Sequence, residues 1–358
     1  MPPIPPPGEG EYILIRTPNW VGDAVFAAPA IRALGDCSSR ANLVLFGPRS
    51  ICDLLGTFDG VAGAVGLDAR EAGAFRHRFG AAWKLRDWRA GFAWVFPESF
   101  SSALETKLGG ARIRVGRPTE GRGFLLTHRV PFTARPRSRH LVDEYLELVE
   151  SLGVDVHERT PRVSIDPAAA AEAGRLLPPN EGGLRIGLIP GAAFGAAKRW
   201  PPDRFVRLSR RFAGDQIVLF GSSEERFLAE HISSSLRART VVLAGRTNLK
   251  VLAACLARCS IVVGNDTGPT HLAAAVGTPV VGVYGSTNPG WTGVRSPRSR
   301  IVRRVTDCAP CYSRQCDRGY ACLHEITVEE VWNACRELLT GDAAKSNPGP
   351  PTATGRES

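Results

Sequence analysis

The sequence predicts an α/β protein built as two Rossmann-like, doubly wound parallel-sheet domains facing a cleft. Three observations carry that prediction. Short β-branched apolar runs alternate with longer amphipathic stretches, the pattern of βαβ units. The runs are continuous, as in strands covered on both faces. The alternation also occurs twice, separated by a polar, proline-flanked stretch at 166–183 (DPAAAAEAGRLLPPNEGG). At 358 residues the chain is too long for one ordinary core and fits two domains.

In the first half the predicted strands are YILIR (12–16), NLVLFG (42–47), FAWVFP (92–97) and RIRVG (112–116). In the second half they are LRIGLIPG (184–191), QIVLFG (216–221), TVVLAG (240–245), SIVVGND (260–266) and PVVGVYG (279–285). Helical patterns cover about 20–34, 139–152, 202–213, 223–237, 247–258, 269–276 and 327–339. Pro201-Pro202 suits a helix start, where the first amides have no intrahelical partner to lose. The Pro/Gly-rich ends, 1–10 and 341–358, lack apolar periodicity and read as disordered tails. The domains are therefore expected at 11–170 and 184–340, with 171–183 as linker and the last helix free to pack back on the first domain.

Composition narrows the function classes. With 43% hydrophobic and 22% charged residues the chain is ordinary for a globular protein. No run of 18 apolar residues offers a membrane span, and the first residues (MPPIPPPGEGEY) do not resemble a secretory signal, so a cytoplasmic location is expected. The net charge is +10, and eight arginines with two histidines stand between Arg112 and His140 against the single acid Glu120. Such a stretch is either a solvated face or a surface for phosphate-rich partners. Nine cysteines in a chain expected in the cytosol do not read as a disulfide scaffold.

In open α/β sheets ligands sit beyond the carboxyl ends of the strands, so four strand-end loops hold the candidates. In RTPNWVGDAVFAAPAIRAL (16–34), Asp23 opens a helix; it either complements the helix dipole or serves as a general base. The loop carries no GxGxxG and so no dinucleotide fingerprint. In PGAAFGAAKRWP (190–201), small residues let backbone amides approach an anion, and Lys198 is a mobile charge for a diphosphate. In GNDTGPTHLAAAVGTPVVGVYG (264–285), Asp266, Thr267, Gly268 and His271 crowd one turn ahead of a small-residue helix whose N-terminus suits a phosphate. On a plain structural reading Thr270 is an N-cap and His271 a satisfied helix histidine. In DCAPCYSRQCDRGYACLHEIT (307–327), Cys308, Cys311, Cys316 and Cys322 are compatible with tetrahedral zinc but lack a common finger spacing. The preferred expectation is a loop of reduced thiols held by packing of Tyr312, Tyr320 and Leu323.

Together these loops resemble the ADP-heptose:lipopolysaccharide heptosyltransferases of glycosyltransferase family 9, most of all the second-type enzymes. The resemblance runs from about Ile13 to Leu338 and rests on NWVGDAVFAAPAIRAL, PESFSSAL, PGAAFGAAKRWP, GNDTGPTHLAAAVGTPVVGVYG and the CxPC…C…CLH segment. Ala193 and Pro269-Thr270 depart from the family pattern. The resemblance implies a GT-B fold with an acceptor-binding N-terminal domain and a nucleotide-sugar-binding C-terminal domain. It implies an inverting transfer from ADP-L-glycero-D-manno-heptose to the inner-core heptose, with Asp23 as general base and Lys198 neutralising the leaving diphosphate. Donor contacts would fall to Lys198, Ser222, Ser223, Asp266, Thr267, Gly268 and His271, and acceptor contacts to Asn19, Trp20, Ser99 and Ser101. No DxD-type motif stands in a suitable loop, so no metal cofactor is expected. The acceptor would be a phosphorylated, lipid-linked oligosaccharide met at the cytoplasmic face of the inner membrane, with 77–89 and 112–140 facing it. The alternatives are a type I or III heptosyltransferase, another GT-B nucleotide-sugar enzyme and, remotely, a nucleic-acid-binding protein, although no nucleic-acid motif is present.

Overall fold

A computed structural model describes residues 11–37, 42–68, 75–180, 182–236 and 239–341. Of the segments read as tails, 1–10 and 341–358, all but Gly341, which caps the last helix, lie outside the described residues. Contacts divide the chain into two compact units. The first runs to Asn180 and also takes Arg246–Arg258 and His271–Gly277; the second takes the rest of the chain from Glu181.

In the first unit, strands β1 (Tyr12–Arg16), β2 (Asn42–Pro48), β3 (Val61–Leu67), β4 (Phe92–Val95), β5 (Ile113–Gly116) and β6 (His128–Arg129) form one parallel sheet in the order β3-β2-β1-β4-β5-β6. The principal helices are α1 (Val21–Asp36), α2 (Arg49–Leu55), α3 (Phe75–Lys84), α4 (Phe100–Leu108), α5 (Leu141–Glu150) and α6 (Pro167–Leu176). Four strands were legible as apolar runs. The two edge strands, β3 and β6, were not, since β3 alternates half-buried and exposed residues and β6 is only two residues long. Part of the stretch 171–183 expected to be linker is helix: α6 begins with Pro167, and the Asp166 carboxylate accepts from the Ala169 amide at 2.8 Å.

In the second unit β7 (Arg185–Ile189), β8 (Gln216–Leu219), β9 (Arg239–Val242), β10 (Ile261–Asn265), β11 (Val280–Tyr284) and β12 (Ser299–Arg303) form the sheet β12-β11-β10-β7-β8-β9. Its chain segments also form α7 (Pro202–Ser209), α8 (Arg226–Ser234), α9 (Leu249–Ala257), α10 (Gly268–Ala275), α11 (Pro289–Thr292), α12 (Ala321–His324) and α13 (Val328–Thr340). Of these, α9 and most of α10 group with the first unit. Trp200, fully buried, anchors the second core and donates its indole N–H to the Ile326 carbonyl at 3.1 Å. The last helix, α13, buries Val331, Ala334, Cys335 and Leu338 in that same core. Both sheets follow the 3-2-1-4-5-6 winding, which reverses between β1 and β4 and again between β10 and β7.

Candidate active site

At a reversal of winding, the loops leaving the two central strands turn to opposite faces and open a crevice. Three of the four loops singled out from sequence fall at these two places, whereas the cysteine loop follows the edge strand β12. In the first sheet the loops at the reversal are the one after β1, carrying Asn19, Trp20 and Asp23, and the one after β4, carrying Ser99 and Ser101. In the second they are the loop after β7, carrying Lys198, and the loop after β10, carrying Asp266, Thr267 and Gly268.

In the first unit the two loops are tied together by an ion pair absent from the sequence reading. Arg16, the last residue of β1, is 1% exposed and donates to the Glu105 carboxylate of α4 at 2.7 Å. Its other nitrogens reach the Thr17 carbonyl at 2.6 Å and the Asn19 side-chain oxygen at 3.0 Å. A buried pair of this kind is costly to break from one side, because the remaining charge is left desolvated. Asn19 is thereby held, while Trp20 beside it is 60% exposed. Ser99 caps the start of α4 in sequence, and its hydroxyl lies 3.3 Å from that of Ser101. The carbonyls of Pro97 and Ser99 both accept from the buried Arg122 guanidinium.

Asp23 stands in the first turn of α1, half-buried. Burial pushes the neighbouring Tyr145 hydroxyl well above its ordinary pKa, and the charges of Asp23 and Glu98 push in the same direction. Three residues after Asp23, the Phe26 ring meets His271 at 4.6 Å between centroids. His271 therefore rests on α1.

The basic stretch is less available than the sequence implied. Arg117 pairs with Glu147 at 2.7 Å, and Arg114 donates to the Leu125 carbonyl at 2.6 Å. Burial lowers the pKa of Arg122 to about 10, opposed by Glu98 and Glu120. The exposed arginines are Arg112, Arg129, Arg135 and Arg137, while Arg139, half-buried, is paired with Glu147 at 2.8 Å.

In the second unit Lys198 and Asp266, apart by 68 residues, meet at 2.6 Å; the lysine side chain is 14% exposed and the aspartate 3%. The same carboxylate oxygen accepts from the Thr287 hydroxyl at 2.6 Å. Thr287 follows β11 and was not singled out from sequence. Asn265 joins the loops: its amide donates to the Pro190 carbonyl at 2.8 Å and its oxygen accepts from the Trp200 amide at 3.0 Å. Thr270 does not cap a helix from outside but lies within α10 and donates to the Asn265 carbonyl at 2.7 Å. Thr267 and Gly268 are half-buried at the start of α10. Ser222 and Ser223 are exposed after β8; the Ser222 amide donates to Glu225 at 2.9 Å and the Ser223 hydroxyl to Glu224 at 3.1 Å. A side chain at Gly191 would collide with the Glu225 carboxylate, so this unpredicted acid lies directly against the loop after β7.

All four clustered cysteines line one cavity of about 220 Å³, together with Ala197 and Ser286. The Cys322 thiol is raised by burial and then by its three neighbours. Among the described residues, however, no three cysteine, histidine or acidic groups stand where they would hold a metal ion. Leu323 beside them is fully buried in the second core.

Comparison with known proteins adds an independent line. The profile of glycosyltransferase family 9 (heptosyltransferase) matches residues 78–321. The chain is 31% identical over 350 residues to lipopolysaccharide heptosyltransferase 2 of Salmonella typhimurium, covering 92% of this chain and 98% of that one. It is 32% identical to lipooligosaccharide heptosyltransferase 2 of Haemophilus influenzae, covering 91% and 99%. Among solved structures, the E. coli ADP-heptose lps heptosyltransferase II aligns with TM-score 0.77 and 27% identity over 93% of this chain and 99% of that one.

Proposed function

This chain belongs to glycosyltransferase family 9, the heptosyltransferases, and from that premise we propose that it adds the second heptose of the lipopolysaccharide inner core. It is a glycosyltransferase of two-domain GT-B architecture. The donor in this reading is ADP-L-glycero-D-manno-heptose and the acceptor is the first inner-core heptose. The observation that carries the reading is the Lys198–Asp266–Thr287 cluster at the winding reversal of the second sheet.

An anomeric displacement needs a deprotonated nucleophile on one side and a stabilised leaving group on the other. Asp23 takes the proton from the acceptor hydroxyl, which then attacks the anomeric carbon with inversion as the bond to the diphosphate breaks. Lys198 and the backbone amides of Thr267 and Gly268 meet the charge that develops on the departing ADP. Asp266 orients Lys198 and faces the sugar hydroxyls. Asn19, Ser99 and Ser101 hold the acceptor, on a loop pair that Arg16 and Glu105 keep rigid. Exposed arginines of the basic stretch, among them Arg112, Arg129, Arg135 and Arg137, meet the phosphorylated, lipid-linked acceptor at the cytoplasmic face of the inner membrane. Among the described residues no helix is long and apolar enough to cross a membrane.

Incubation with ADP-heptose and inner-core acceptors bearing zero or one heptose tests the reading. Transfer is expected only to the acceptor bearing one heptose. Transfer to the heptose-free acceptor would make the enzyme a first-heptose transferase, and no transfer to either would sink the proposal.

The chemistry is proposed to need no metal, since fixed cationic and dipolar groups supply the leaving-group stabilisation. Excess EDTA should leave turnover unchanged, and protein purified without a His-tag should carry well under one zinc per chain by elemental analysis. A stoichiometric zinc, lost together with stability in Cys311→Ser, would overturn the reading of the cysteine segment as a packed, reduced loop.

A further inference from the structure

The cysteine segment touches the donor loop through its main chain. The Arg314 carbonyl accepts from the Ala197 amide at 3.1 Å, one residue before Lys198. Gly195 makes this approach possible: its φ is 150°, and a Cβ there would stand 2.3 Å from the Arg314 oxygen. A second tie runs from the Tyr312 amide to the Ser286 carbonyl at 2.8 Å, next to Thr287. The Tyr312 ring packs edge-on against Trp291 at 5.8 Å. Within the segment the Cys316 sulfur accepts from the Arg318 amide at 3.3 Å and the Tyr320 amide at 3.4 Å, which fixes the turn that follows Arg314.

These ties place a second cation beside the first. The Arg314 guanidinium lies 5.4 Å from the centroid of Phe194, and the Lys198 ammonium lies 5.1 Å from the same centroid. The two charges are thus no farther apart than roughly 10 Å, about the Debye length at 0.1 M salt. They are not equivalent. Lys198 is already neutralised by Asp266 at 2.6 Å, so that pair offers an incoming anion little net charge. Arg314 is exposed, and among the described residues no acid stands within ion-pair distance of it. A diphosphate leaving group carries more negative charge than a lysine shared with an aspartate can offset. A guanidinium adds a planar fork that matches phosphate oxygens two at a time.

We propose that Arg314 binds the donor's diphosphate as the second cation of the site, presented to the donor loop by the four-cysteine segment. The inference rests on the donor-site reading above and extends it to a residue outside every motif assigned a role in transfer.

Calorimetric titration with ADP and with adenosine separates the possibilities, using wild type, Arg314→Gln, Arg314→Lys and Lys198→Ala. Arg314→Gln is expected to weaken ADP about ten- to hundredfold and to leave adenosine binding unchanged. It should also flatten the salt dependence of ADP affinity. Arg314→Lys, keeping charge without the fork, should fall between. The tie to Ala197 uses only the main chain, so both variants are expected to keep the wild-type melting temperature; should Arg314→Gln melt early, Arg314→Lys decides. ADP affinity within twofold of wild type in Arg314→Gln, while Lys198→Ala is weakened, overturns the role of Arg314 and leaves the donor site standing. Unchanged ADP affinity in both variants overturns the donor-site reading itself.

Discussion

Asp23→Asn is expected to lower turnover by at least about 10²-fold while ADP-heptose binding stays within a factor of a few of wild type. The substitution keeps size and helix position and removes the charge, and with it the capacity to accept a proton. Asp23 lies in the first turn of α1, at the carboxyl end of a central strand, beside the loop that Arg16 and Glu105 hold in place. A carboxylate there gains only about 0.3–1 kcal/mol from the helix dipole. If that were its whole purpose, the asparagine variant would be slightly less stable and fully active. Turnover and unfolding midpoint measured on the same preparation tell the two apart. Near-normal turnover would remove Asp23 from the mechanism.

What was legible in the sequence follows burial. Nine strands announced themselves as apolar runs, eight of them central strands covered on both faces and the ninth the edge strand β9, whose TVVLAG run is apolar although the strand is only half-buried. The strands that escaped notice, β3, β6 and β12, all lie at sheet edges. There one side of the ladder is unpaired and the faces are half-covered, so VAGAVGL and SRIVR carry no continuous apolar run. The loops bearing Asp23, Lys198 and Asp266 were found because ligands in open α/β sheets sit beyond the carboxyl ends of the strands. What holds those loops was missed. Arg16, Glu105 and Thr287 were not singled out in the sequence at all. Each acts through a partner far away in the chain, 89 residues for Arg16 with Glu105 and 21 for Thr287 with Asp266. No local period records such a pairing. The same limit explains the basic stretch: net charge counts Arg117 and Arg122 alongside Arg135, although the first two are 3% and 0% exposed and bind the protein's own carbonyls and carboxylates.

Lys198→Ala should both weaken ADP binding, by about tenfold or more, and reduce turnover further, because the ammonium meets the diphosphate in the ground state and more strongly as the bond breaks. The difficulty in reading such a variant is structural. Asp266 is 3% exposed and would lose its cation while keeping the Thr287 hydroxyl, so a loss of activity would also follow from a disturbed loop. The double variant Lys198→Ala/Asp266→Asn resolves this, since it removes the stranded charge along with its partner. Stability is expected to return toward wild type in the double variant, whereas ADP affinity is expected to stay low. If ADP affinity recovers together with stability, Lys198 is a brace for the loop and the diphosphate is held by other groups. If calorimetry finds the single variant binding ADP as tightly as wild type, the lysine has no part in holding the leaving group.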